Sequence, residues 1–168
     1  SLHARAAGES EDGWRRHASG TLSSAGSLTA EDLRAWPPAG AVSIELDGLY
    51  ERLGEAGLLY GDAFCGLRAV YQRDEELFAQ VELPATAGSE ASRFGLHPAL
   101  LDAALHALLA IQAPGASVAL PFAWSGVQVQ GRGAEALRVR LCGDAAQGGV
   151  SLLLADAAGE PIGAVQAL

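Results

Sequence analysis

Two ionisable residues, Asp102 and His106, lie four positions apart in a stretch that is otherwise almost entirely apolar. Four-residue spacing places both side chains on one face of a helix. A buried carboxylate without a partner is costly, and burial favours the protonated carboxylic acid, which can deliver a proton near neutral pH. The pair is therefore a candidate for proton-transfer chemistry. The alternative is an ordinary surface pair, which stabilises a helix by about 0.3–0.5 kcal/mol.

The segment that must position this pair is predicted to be a buried helix over residues 98–111. Ala and Leu dominate it and no glycine interrupts it, which favours helix. Pro98 suits the first helical position, where its missing N–H costs nothing, and His97 before it fits a residue at the entry to the helix better than a catalyst. Leu101, Leu105 and Leu108 lie on one side of this helix, and Leu100, Ala104 and Ile111 lie on another. A helix that is apolar on nearly every side belongs inside a protein.

The segments around this helix read mainly as strands. Two runs, 66–72 and 77–83, flank a charged turn and predict a hairpin, and residues 42–46 alternate with period two before a short helix that Asp47 can cap and Gly57 can end. Further strands are predicted at 118–123, 125–130, 135–142, 149–155 and 161–167. One long buried helix with antiparallel strands before and after it predicts an α+β fold of the hot-dog type, in which a curved sheet wraps a central helix.

Composition limits the classes of function. The chain has 168 residues, a net charge of −9 and no Lys, which argues against nucleic acid as a partner. No apolar run is long enough to cross a bilayer, and residues 1–5 lead into no apolar segment of the kind a signal peptide has. Cys65 and Cys142 are isolated, so neither a zinc site nor a disulfide framework is indicated. We expect a cytoplasmic protein that binds neither membrane nor nucleic acid.

Five sequence blocks together resemble the dehydratase domain of modular type I polyketide synthases. The blocks, in the order and rough spacing of that family, are WRRHASG (14–20), WPP (36–38), YGDAFCGL (60–67), HPALLDAALH (97–106) and LPFAWSGV (120–127). Each block alone is a weak signal, but together they span most of the chain. Asp62 and Cys65 depart from the Pro and Gln usual in that family, which bears on local loop geometry and substrate preference rather than on the class of reaction.

The resemblance implies a double hot-dog fold of which this chain is the C-terminal part. In that family a first unit carries a catalytic His in an HxxxGxxxxP motif, and the central helix of a second unit carries a catalytic Asp. Asp102 matches the Asp position, whereas no His of this sequence begins such a motif. We therefore expect residues 1–27 to be the last strands of the first unit, 28–41 a Pro-rich linker, and 42–168 the second unit. Half of the active site then lies outside this chain.

The resemblance also implies a reaction: loss of water from a 3-hydroxyacyl chain on an acyl carrier protein, which gives an enoyl thioester. Asp102 would be the acid that protonates the departing hydroxyl. His106 would hydrogen-bond the Asp102 carboxyl or that hydroxyl and fix its orientation. The implied substrate-binding residues are Tyr60, Phe64, Leu101, Pro121 and Phe122. No cofactor is implied beyond the phosphopantetheine arm that carries the substrate. The implied partners are the half with the catalytic His, the carrier protein, other synthase domains and a second copy in a homodimer.

Other functions remain open from the sequence. The unit could be catalytically inactive and kept for shape or dimer contacts. It could also be a pyran-forming cyclase, since cyclising relatives keep both catalytic residues, or an isomerase, although isomerising relatives typically lose the Asp. A free-standing hot-dog thioesterase or hydratase is disfavoured, because such proteins are usually shorter and lack the WPP and Tyr60 blocks. Cys65 is a weak candidate nucleophile, because nothing near it in sequence would lower its pKa.

Overall fold

A computed structural model describes residues 1–8, 10–24, 28, 32–88, 90–113, 120–144 and 149–168. The chain begins with two short strands that pair antiparallel as a sheet of their own, β1 (Leu2–Ala4) and β2 (Arg15–Ala18). Helical turns of the 3-10 type lie at Glu11–Gly13, Asp62–Phe64 and Ala91–Arg93.

The other elements build one larger layer and the helix against it. In chain order they are β3 (Val42–Ile44), α1 (Leu49–Glu55), β4 (Leu67–Arg73), β5 (Glu76–Glu82), the single-turn α2 (Ala85–Gly88), α3 (Pro98–Ala110), β6 (Gln128–Val129), β7 (Ala136–Asp144), β8 (Gly149–Ala155) and β9 (Pro161–Val165). Within the described ranges, β3 to β9 form an antiparallel sheet in the order β3-β4-β5-β7-β8-β9-β6. The helix α3 packs against β4, β5 and β7, which confirms the predicted hot-dog arrangement.

The core lies between α3 and one face of the sheet. Leu100, Ala103, Ala104 and Ala107 of the helix have no exposed surface. On the sheet, the alternate residues Leu77, Ala79 and Val81 of β5 and Leu137, Val139 and Leu141 of β7 face them. Alternate burial along a strand is the pattern of a sheet with one face on the core. Three Ala residues on the buried side of α3 allow the helix to lie close to the strands.

The first turn of α3 begins where the sequence predicts. Pro98 is at the start of the helix, and the Nδ1 atom of His97 accepts a hydrogen bond from the Ala99 N–H at 3.2 Å. This bond satisfies one of the N–H groups that a helix start leaves unpaired. His97 is therefore the entry residue of the helix, as expected.

The hairpin and the short helix are also present, with one correction. β4 and β5 pair across a turn in which Asp74 has φ 53°, a conformation that Asp tolerates better than most residues. Gly57, with φ 88°, follows the end of α1 as predicted. The predicted cap by Asp47 is wrong: Gly48 occupies the N-cap position, and Asp47 only accepts a bond from Arg52 through its backbone oxygen.

The strand predicted at 118–123 is absent over its described residues, and the strand predicted at 125–130 is present in part. Residues 118–119 lie outside the described residues, and 120–124 form no strand. This region joins the sheet through β6, through a bridge between Ser125 and Ala167, and through a hydrogen bond from the Gln130 N–H to the Ile162 oxygen. Pro121 cannot donate to a ladder, and Gly126 has φ 58°, so both residues oppose a continuous strand here.

The Pro-rich segment 28–41 is not a detached linker over its described part. Trp36 lies edge-on to Tyr71 and Phe78, with ring centroids 6.1 and 6.2 Å away, and the Arg138 guanidinium lies 5.7 Å from the Trp36 ring. Arg138 also donates to the backbone oxygen of Leu33 at 2.8 Å. This segment therefore covers Phe78 on the sheet face opposite α3.

Replacement of Leu100 by Ala tests the importance of the α3–sheet contact. Leu100 is fully buried, so truncation leaves a cavity, and we expect a loss of 2–5 kcal/mol in the free energy of unfolding, to order of magnitude. Leu59→Ala is the matched control, because that side chain is 89% exposed and its truncation is expected to cost under about 0.5 kcal/mol. Urea unfolding measures both, and equal losses would contradict the packing described.

The hydrogen bonds of Glu76 to two arginines make the free energy of unfolding depend on pH. Its carboxylate accepts hydrogen bonds from Arg73 at 2.8 Å and from Arg140 Nε at 2.7 Å, and the Arg73 bond is the largest cause of a lowered pKa for Glu76. A carboxyl pKa lower in the folded than in the unfolded protein adds stability above the unfolded value of about 4.3, and this stability is lost as the pH falls through the folded pKa.

We therefore expect Glu76→Gln to lower the free energy of unfolding by about 1 kcal/mol at neutral pH. The variant should also lose less stability than the wild type when the pH is lowered from about 5 to about 3. Urea unfolding at a series of pH values measures the difference, and parallel curves for the two proteins would contradict it.

Candidate active site

The predicted pair is brought together at the edge of α3. His106 Nε2 lies 3.2 Å from Asp102 Oδ2, and the two side chains differ sharply in burial: that of His106 is 2% exposed and that of Asp102 is 40% exposed. The Asp102 carboxyl is therefore less buried than the apolar helix predicts. It lies at the boundary between the interior of the chain and the surface.

Aromatic side chains hold the His106 ring from two sides. The Tyr60 ring centroid lies 4.2 Å from that of the imidazole, and the Tyr50 ring lies edge-on at 5.7 Å. Tyr50 comes from α1, and Tyr60 comes from the segment that leads into the 3-10 turn at Asp62–Phe64. The fold of 49–64 therefore positions His106 as much as α3 does.

The two nitrogens of His106 have different surroundings. Nδ1 lies 3.3 Å from the Tyr50 hydroxyl, which also accepts a hydrogen bond from the Leu67 N–H at 3.2 Å. Nε2 is buried and near Asp102, but no described acceptor lies in line with its N–H direction. An unpaired buried donor costs about 1–3 kcal/mol, and at the wall of a cavity such a group is free to bind a ligand.

An apolar cavity of about 360 Å³ opens beside the pair. Its lining comes from α3, from residues 120–123, from the start of β8 and from the end of the chain: Tyr60, Asp102, Leu105, His106, Leu108, Leu109, Leu120, Pro121, Phe122, Ala123, Gly149, Val150 and Leu168. Asp102 and His106 are the ionisable groups of a wall that is otherwise Tyr60 and apolar residues. Such a cavity fits a hydrocarbon chain with one polar group held at Asp102.

A second, more open cavity meets the first at Asp102. It is lined by residues 59–64 together with Asp102, so Tyr60 and Asp102 belong to both linings. The carboxyl of Asp102 thus lies where the apolar cavity and the more open one adjoin.

The predicted substrate-binding residues do not all line one cavity. Tyr60, Pro121 and Phe122 line the apolar cavity and Phe64 lines the open one, whereas Leu101 lines a third cavity next to β6 and β9. Leu101 precedes Asp102 by one residue and so points about 100° away around the helix. Its placement separates it from the pair.

Several residues that line the apolar cavity were not predicted from the sequence. Leu105 and Leu109 lie three and seven residues after Asp102, a spacing that puts them on its helix face, so helical periodicity could have found them. Val150 and Leu168 are distant in sequence and join the wall only through the pairing of β8 with the end of the chain. Tyr50 carries no motif signal, because its contact with His106 is purely tertiary.

Burial raises the pKa of each nearby phenol and thiol. Desolvation is the main cause for Tyr50 and Tyr60, with the charge of Asp102 adding to the effect on Tyr60. The pKa of Cys65 is raised by burial and by Asp62, so this thiol is not an activated nucleophile, in agreement with the sequence prediction. The phenols stay protonated near neutral pH and can donate hydrogen bonds.

Over the described ranges, no three His, Cys, Asp or Glu side chains cluster as metal ligands. None of the helices there has the length and hydropathy that would carry it across a bilayer.

Comparison with known proteins places these residues in a family. A family model described as "Polyketide synthase dehydratase N-terminal domain" matches residues 28–166. This family model is named for an N-terminal domain, whereas we expect from the sequence that the chain is the C-terminal unit. That assignment stays a prediction. Polyketide synthase GfsA of Streptomyces halstedii is 46% identical over 173 residues, which cover 99% of this chain and 2% of GfsA.

Solved structures agree with the family match. A dehydratase from work on substrate selection in the borrelidin and fluvirucin polyketide synthases superimposes with a TM-score of 0.87 at 42% identity, covering 98% of this chain and 57% of that one. The bifunctional dehydratase-cyclase domain of ambruticin biosynthesis has a TM-score of 0.69 at 43% identity, with 78% and 46% covered. The chain thus spans about half of each solved domain. It belongs to the polyketide synthase dehydratase family.

Proposed function

We propose that this chain supplies the acid half of an active site that removes water from a 3-hydroxyacyl chain on an acyl carrier protein. The observation that carries the proposal is the placement of Asp102 and a buried, unpartnered His106 Nε2 on the wall of an apolar cavity. Membership of the dehydratase family supports the same class of reaction. A hydrocarbon chain fits the cavity, and the hydroxyl next to it would meet the two polar groups.

The elimination needs an acid and a base. The base removes the proton from the carbon next to the thioester carbonyl, the electrons of that C–H bond form the C=C bond, and the C–O bond to the hydroxyl breaks. The Asp102 carboxylic acid gives its proton to the departing oxygen, which leaves as water. His106 Nε2 lies close enough to hold either the carboxyl or that oxygen. The base is the His expected in the half outside this chain.

The half of the domain that lies outside this chain would also cover the site. The Asp102 side chain is 40% exposed and Phe122 is fully exposed in this chain, while an acid of this kind works best away from water. We propose that the first hot-dog unit packs over this region, with residues 1–27 as its last strands, 28–41 as the connection and 42–168 as the second unit.

The wider setting follows from the same proposal. The substrate would arrive on the phosphopantetheine arm of the carrier protein, and the chemistry would need no other cofactor. The working protein would be a cytoplasmic synthase in which this domain acts beside others and pairs with a second copy of itself.

A second candidate activity is ring closure after dehydration. It is favoured by the similarity to the bifunctional dehydratase-cyclase domain of ambruticin biosynthesis, at 43% identity. In that case a second hydroxyl of the acyl chain would add to the enoyl product, and the cyclic product would have the same mass as the open enoyl chain. Mass alone therefore does not separate these activities, but chromatography against standards does.

Asp102→Asn tests the acid directly. The amide keeps the size of the side chain but cannot deliver the proton, so we expect dehydration to slow by about 10²–10⁴-fold. The assay follows loss of one water from a 3-hydroxyacyl carrier protein by mass spectrometry, with this chain joined to the rest of its domain.

The matched control is Asp74→Asn, the same chemical change in the β4–β5 turn, where Asn also tolerates the positive φ of 53°. Its rate should equal that of the wild type. A wild-type domain that leaves the substrate unchanged would favour the inactive unit, and an Asp102→Asn variant with full activity would exclude Asp102 as the acid.

Val150→Trp tests whether the apolar cavity holds the acyl chain. Val150 is on the cavity wall at the start of β8, so a larger side chain should shorten the available space. We expect kcat/KM to fall by about tenfold or more for a long acyl chain and to change little for a short one. Val42→Trp, at a strand position 68% exposed, is the control. An equal effect on long and short chains would contradict this placement.

A further inference from the structure

The hydrogen bonds of Tyr50 determine which nitrogen of His106 carries the proton. The Tyr50 hydroxyl oxygen accepts a bond from the Leu67 N–H at 3.2 Å and lies 3.3 Å from His106 Nδ1. Because the Leu67 N–H can only donate, the Tyr50 oxygen is the acceptor of that bond. The Tyr50 hydroxyl can then donate its own hydrogen to another group. Among the described residues, His106 Nδ1 is the acceptor that this hydrogen can reach.

From this arrangement we propose that Tyr50 is a positioning residue, which holds His106 as the neutral tautomer with its proton on Nε2. The donation runs in one direction, from the Leu67 N–H to the Tyr50 oxygen and from the Tyr50 O–H to His106 Nδ1. The other tautomer would turn the Nδ1–H toward the Tyr50 oxygen and leave the Tyr50 hydrogen without a described acceptor. An unmade bond of this kind is costly at a half-buried site. The unpaired Nε2–H of the proposed tautomer carries a similar cost in this chain, which a substrate oxygen bound in the cavity would remove.

The surroundings keep Tyr50 able to donate. Burial raises the pKa of its phenol, so the hydroxyl keeps its proton at neutral pH. The His106 ring is itself fixed between Tyr50 and the Tyr60 ring, which lies 4.2 Å away. Neither ring can therefore turn away from the bond without loss of packing.

The tautomer matters for the proposed dehydration, on which the catalytic part of this inference rests. With its proton on Nε2, which has no hydrogen-bond partner among the described residues, His106 presents a donor to a substrate oxygen in the cavity, close to Asp102 Oδ2 at 3.2 Å. The acid proton of Asp102 then stays available to the substrate. In the opposite tautomer, Nε2 would be an acceptor and would compete with the substrate for that proton.

The test is nitrogen NMR on the intact dehydratase domain labelled with ¹⁵N-histidine. His106 is assigned by the signal that His106→Gln removes. We expect an acceptor-type Nδ1 and a protonated Nε2 in the wild type, and Tyr50→Phe should move both signals toward an average of the two tautomers. The matched control Tyr71→Phe, on the opposite face of the sheet beside Trp36, should leave them unchanged.

Kinetics supply the second readout. We expect Tyr50→Phe to lower kcat by about tenfold or more with little change in KM, because a wrong tautomer affects the chemical step rather than binding. A wild-type spectrum with the proton on Nδ1, or a Tyr50→Phe spectrum identical to that of the wild type, would overturn the inference. If the expected spectra come with no dehydration in the wild type, the tautomer assignment stands and the proposed function fails.

Discussion

The site depends on the contact between α3 and the sheet. Ala103, Ala104 and Ala107 are fully buried there, and their small side chains let the helix backbone approach the strands. The approach is close at Gly66, where an added Cβ would lie 2.7 Å from the Glu82 oxygen and 3.3 Å from the Ala103 Cβ. Because this contact fixes the rotation of the helix, it also fixes which residues reach its edge. Asp102 and His106 are held at the cavity as a consequence.

Residues outside α3 also hold His106 in place. Tyr50 of α1 joins His106 to the first residue of β4 through two hydrogen bonds, and Tyr60 covers the imidazole face. The imidazole is thus buried and held by neighbours, whereas the carboxyl beside it is partly exposed and borders two cavities. The neighbours of His106 thus fix one member of the pair, and Asp102 lies where the two cavities adjoin, where we propose that the substrate binds.

The features that depend on local sequence patterns could be predicted from the sequence. The helix at Pro98–Ala110, the β4–β5 hairpin and the Asp102–His106 pair follow from periodicity and four-residue spacing. Contacts between distant segments were missed: Tyr50 on His106 and Val150 in the cavity wall have no local signal. Leu101 was grouped with the site on the strength of resemblance, although helix geometry alone turns it toward another cavity. The strand expected at 118–123 is absent over its described residues, where Pro121 cannot donate a hydrogen bond to a neighbouring strand.

We propose that a hydroxyacyl chain lies in the apolar cavity with its hydroxyl at Asp102. A crystal structure of the intact domain carrying Asp102→Asn, with a bound 3-hydroxyacyl pantetheine thioester, would show this placement. We expect the hydroxyl within hydrogen-bond distance of residue 102 and of His106 Nε2, and the hydrocarbon against Leu109 and Val150. An acyl chain bound in the cavity beside Leu101, or a hydroxyl held by neither residue, would contradict it.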